Sequence, residues 1–105
     1  MKTPLEISFQ GITDNNGLRE SIVNKAGELF ETFGQPETFQ VSITSPEHFP
    51  LRDKPFFVRI AMNVQSGKHL VVERSSINGR FQERIMPLIN ESFDSIYDNL
   101  TRING

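Results

Sequence analysis

The chain has 105 residues, 36% of them hydrophobic, with nine phenylalanines, no cysteine and a formal net charge of −2. This size and composition exclude a disordered chain and suit one domain over 1–105 that buries its core without metal or disulfide. Absent cysteine excludes thiolate chemistry, the acidic balance denies a general attraction to nucleic acid, and no apolar run approaches a membrane span.

Residues 4–10 alternate, with Leu5, Ile7 and Phe9 on one face and Glu6, Ser8 and Gln10 on the other, which predicts a first strand. Thr13-Asp14-Asn15-Asn16-Gly17 is a turn and helix-cap cluster. A helix is expected over 18–33, where Leu18, Ile22, Ala26, Leu29, Phe30 and Phe33 recur at steps of three and four. Gly34 suits its end, and Pro36 cannot continue it. Gly27, inside that helix, marks either close contact with the sheet or a tolerated surface defect. A second strand follows over 38–44, with Phe39, Val41 and Ile43 inward.

Residues 45–55 contain Pro46, Pro50 and Pro55 and read as an irregular connection from which Phe49 and Leu51 can tuck inward. Two further strands lie in 57–74, joined by a tight turn at Ser66-Gly67. Val58, Ile60, Met62 and Val64 form the buried face of the first of these. After a polar turn over 75–79, a last helix runs to about residue 103 on a stripe of Ile85, Ile89, Phe93, Ile96 or Tyr97, and Leu100. Pro87 requires that helix either to start near 84 or to start near 78–81 and kink before the proline, and Phe81 at four residues from Ile85 favours the longer, kinked form. The resulting class is α+β in the order β-α-β-β-β-α: a four-stranded sheet with two helices packed on one face and a polar opposite face.

No P-loop, dinucleotide-binding glycine motif, zinc-protease motif or nucleophile elbow occurs. His48 and His69 have no paired ligand at metal spacing, and Glu91, Asp94 and Asp98 on the last helix read as a solvated face. The expectation is a protein without catalytic residues, metal or cofactor. Basic residues are dispersed, but Arg19 and Lys25 share the first helix, while Arg74, Arg80 and Arg84 run from the last strand into the second. Such a set can pair with phosphates.

Three stretches carry a resemblance. Leu18-Arg19-Glu20 with Lys25 and Leu29, then Gly67-Lys68-His69-Leu70-Val71-Val72-Glu73-Arg74, and Pro4-Leu5-Glu6-Ile7-Ser8-Phe9 resemble the first helix, the last hairpin and the opening strand of the ribosome hibernation promoting factor family, which includes the ribosome-associated inhibitor A proteins. The element order also matches that family, whose layout is like that of double-stranded-RNA-binding domains. The resemblance implies a cytoplasmic, non-catalytic factor that docks on the small ribosomal subunit, contacts ribosomal RNA and occludes the path of messenger and transfer RNA. On this basis Arg19, Lys25, Lys68 and Arg74 are RNA-binding candidates, joined by Arg80 and Arg84 from their expected proximity. A short, single-domain member, monomeric or weakly homodimeric, is expected, without the C-terminal domain through which long members join two ribosomes.

Where typical members carry several basic residues late in the first helix and along the second, this chain has Glu28, Glu31, Glu91, Asp94 and Asp98. Carboxylates facing phosphate repel it, so binding should be weaker and more easily abolished by salt. An alternative follows from the same residues: a regulatory protein–protein interaction module that keeps the fold and has lost ribosome binding.

Overall fold

Alternation in four segments and a three-to-four period in two others produce the elements of the computed structural model, which describes residues 5–12, 16–45, 56–76 and 81–104, side chains at 81–83 and 104 excepted. They are β1 (Leu5–Gln10), α1 (Asn16–Phe33), β2 (Thr38–Thr44), β3 (Phe56–Asn63), β4 (His69–Ser76) and α2 (Phe81–Asn104). The cap residues 13–15, the connection holding His48, Phe49 and Leu51, and Arg80 lie outside the described residues. The strands lie side by side in chain order, β1 parallel to β2 and the rest antiparallel.

Register turns this order into a grid. On the helix-covered face, residues align as Leu5–Phe39–Met62–Leu70, Ile7–Val41–Ile60–Val72 and Phe9–Ile43–Val58–Arg74. Every position is apolar except Arg74, at the β4 margin. Phe39 is fully buried between the helices, with Phe30 of α1 edge-on at 5.2 Å and Phe93 of α2 stacked at 6.0 Å. Both helices therefore cover the same face, as the one-sided strands require.

The opposite face is mainly polar, with Phe57, Ala61 and Val71 as its apolar positions on β3 and β4. Ser8 Oγ donates to Ser42 Oγ at 3.2 Å, Gln40 Nε2 donates to a Glu6 carboxylate oxygen at 3.2 Å, and Arg59 lies directly across from Glu73. Ala61, which belongs to this face by alternation, is nevertheless buried, being a short side chain in register between Gln40 and Val71.

Local details settle the points that periodicity left open. Helix α1 begins two residues earlier than its apolar stripe suggests and ends on Gly34, whose N–H donates to the Phe30 carbonyl at 2.7 Å and whose φ of 90° turns the following chain out of the helix. The hairpin loop is one residue wider than a two-residue turn. Gly67, at φ 92°, donates to the Val64 carbonyl, and Val64 donates to the Lys68 carbonyl, closing Gln65-Ser66-Gly67 as a three-residue loop with a glycine bulge. Helix α2 takes the longer form and continues through Pro87. The proline is exposed, so the backbone carbonyl of Glu83, one turn earlier and left without its helical donor, lies on the side of the helix that water can reach. Ile96 is fully buried and Tyr97 half exposed, so the former belongs to the stripe. Ser92, also buried, satisfies its hydroxyl by donating to the Leu88 carbonyl at 2.8 Å.

Two glycines have opposite roles. A Cβ on Gly11 (φ 73°) would stand 1.8 Å from the Ser45 carbonyl oxygen, where Ser45 N–H bonds Gln10 and clamps β1 to the end of β2. A Cβ on Gly27 would meet nothing within 4 Å, and the residue is exposed, so it is the surface defect and not a helix–sheet contact. Urea denaturation should accordingly show Gly11→Ala losing about 2 kcal/mol or more, while Gly27→Ala gains roughly 0.5–1 kcal/mol from helix propensity.

Candidate nucleic-acid interface

Among the described residues, the five basic candidates Arg19, Lys25, Lys68, Arg74 and Arg84 do not converge on one patch. Arg19 leaves α1 toward the β1 margin, where its guanidinium lies 5.3 Å from the centroid of the Phe9 ring. Lys25 enters the shallow groove between α1 and α2, beside Glu28, Thr32, Asp94 and Tyr97, over a floor of Leu29 and Phe93. Arg74 lies on the seam between β4 and α2. Arg84 is exposed in the first turns of α2, and Arg80 lies outside the described residues. Lys68 closes the hairpin loop just before β4, toward the other end of that strand from Arg74. Six residue steps of extended chain separate those two by about 20 Å.

The seam is the best-organised part of this set. Arg74 follows Leu70 and Val72 on the inward face, but β4 is an edge strand, so its side chain can leave the core sideways. It reaches Ser95 of α2, donating from Nη2 at 2.7 Å and from Nε at 3.2 Å to the same Oγ. Ser95 stands eleven residues after Arg84 and seven before Arg102, both near-integral numbers of turns, so all three positions share one side of α2. Arg84 and Arg102 thus flank the Arg74–Ser95 contact along the helix, roughly 16 Å and 10 Å from it at 1.5 Å per residue.

Sequence reading placed Arg74 at the strand end but overlooked Ser95 and Arg102. A signal for the first was present: Leu70, Val72 and Arg74 share parity, so the arginine had to lie on the side that a helix covers. No comparable signal named its partner, because which turn of α2 crosses β4 depends on packing.

Acidic side chains interrupt the basic ones. Glu91 and Asp98 are exposed within one turn of Ser95, and Glu28 and Asp94 share the groove with Lys25. Phosphate binding would therefore be confined to narrow positions and strongly screened by salt. Among the described residues, no group of three or more His, Cys, Asp or Glu could hold a metal ion, and no helix is long and apolar enough to cross a membrane.

Comparison with known proteins is informative at the level of fold. No family model matches this chain, and no curated protein matches it. Among solved structures, it is similar to the crystal structure of the Thermus thermophilus Protein Y N-terminal domain, with a TM-score of 0.62 over 94% of this chain and 97% of that one. The two sequences are 11% identical, so what they share is the architecture.

The Arg19–Phe9 contact is testable as a stabilising interaction. Replacing Arg19 with alanine should lower stability by about 0.5–1 kcal/mol in urea titrations, whereas lysine should retain part of it.

Proposed function

We propose that this protein is a ribosome-associated, non-catalytic factor of the hibernation promoting type, acting in the cytoplasm by docking on the small subunit and occluding the path of messenger and transfer RNA. The observation that carries this reading is the β-α-β-β-β-α architecture. It is the order that the three family-like stretches imply, and it is shared across nearly the whole length of both chains with the Protein Y N-terminal domain. Ribosomal RNA would be met through phosphate, by Arg74 and Arg84 on the β4–α2 seam with Arg80 between them in the chain, by Arg19 and Lys25 on α1, and by Lys68 at the hairpin. No step of chemistry is needed, since occupancy alone blocks the path.

A second reading has its own support. Glu91, Asp94 and Asp98 are all exposed on α2, and such a surface suits a protein partner better than a phosphate backbone. Under that reading the protein is a regulatory interaction module that has kept the fold.

Sedimentation with small ribosomal subunits separates the two. The protein should co-pellet at low salt and be released as salt rises, and Arg74→Ala should weaken binding and reduce the slope of log affinity against log salt by about one contact's share, roughly 0.7–0.9. Failure to co-pellet even at low salt would overturn the ribosome reading. Recovery from lysate of a defined protein partner, free of ribosomal proteins, would then establish the interaction module.

A further inference from the structure

Arg74 makes an unusual choice of partner. Glu91 and Asp98 lie four residues before and three after Ser95, on the neighbouring surface of α2, yet the guanidinium bonds the hydroxyl between them. An ion pair with either carboxylate would have neutralised it. A serine oxygen fixes its orientation and leaves its full charge.

The geometry of the contact also decides which donors stay available. Guanidinium has five N–H donors, and two of them, one on Nε and one on Nη2, converge on Ser95 Oγ. The contacted edge is the side-on edge. The end-on edge, formed by Nη1 and the second N–H of Nη2, is the bidentate edge that this contact leaves available for two phosphate oxygens. Arg74 remains exposed in this arrangement.

We infer that Ser95 is a positioning residue: it pre-orients Arg74 so that the end-on edge of its guanidinium is presented, still charged, to a phosphodiester. The inference rests on the proposed RNA-facing role of Arg74 and adds to it a residue on α2 that touches no RNA. The physical gain is entropic, because an arginine already held in its binding rotamer loses less freedom when phosphate arrives. Serine to alanine is favourable for helix propensity, so the variant needed for the test should fold.

Two measurements test this, one on the free protein and one on binding. In the free protein, the Arg74 Nε–H resonance should be protected from solvent exchange, and Ser95→Ala should abolish that protection. In binding, both small ribosomal subunits and poly(U) RNA serve as phosphate-backbone probes, titrated across salt concentrations. Ser95→Ala should weaken binding about three- to tenfold with an unchanged salt slope, since no charge is lost, whereas Arg74→Ala lowers both affinity and slope. Ser95→Thr should restore the protection and the affinity, and the Ser95→Ala/Arg74→Ala double variant should bind no worse than Arg74→Ala alone. An unprotected Nε–H in the wild type, wild-type affinity for both probes in Ser95→Ala, or additive losses in the double variant would each overturn the inference. If subunits fail to bind while poly(U) shows the expected pattern, the ribosome reading falls and the Ser95 role stands.

Discussion

Phe39 is the residue on which the architecture turns. It sits on β2, the strand that is parallel to one neighbour and antiparallel to the other, and it holds an aromatic ring from each helix against the same face of the sheet. Because both helices are drawn to that face, the other must be compatible with water, and hydroxyl and amide side chains of β1 and β2 fill it. Because the covered face is filled by apolar side chains in three rows, charged side chains have places only at its margins. The distribution of the basic candidates follows from that exclusion.

At one margin, Arg19 of α1 caps Phe9. At the other, Arg74 occupies the same transverse row and turns to α2. An arginine in the middle of this row would be a buried, unpaired charge, at a penalty that a small domain could not sustain. On an edge strand its long apolar stem lies along the seam while the guanidinium stays wet. The cations are thus kept apart by the same core that holds the domain together. This separation explains why the basic side chains form no single basic face among the described residues.

Much of this was legible beforehand where a local rule operates. Strand parity identified Phe39, Val41 and Ile43 as inward, helical spacing identified Ile22, Ala26 and Leu29, and Gly34 and Gly67 stand where positive φ is needed. Parity even contained the position of Arg74. Less was legible where two elements meet. The exclusion of Tyr97 from the stripe in favour of Ile96, the open surroundings of Gly27 and the tight clamp at Gly11 each depend on an atom contributed by, or missing from, another part of the chain.

The sequence by itself determined the order of elements, the apolar face of each and the candidate basic residues, because alternation, helical period and turn chemistry act over a few neighbouring residues. Tertiary structure alone decided that Lys25 shares a groove with Asp94 and that Ser95 meets the Arg74 guanidinium. Those relations depend on strand register and on where α2 crosses the sheet. Both are set by packing between segments distant in the chain, for which no local pattern codes.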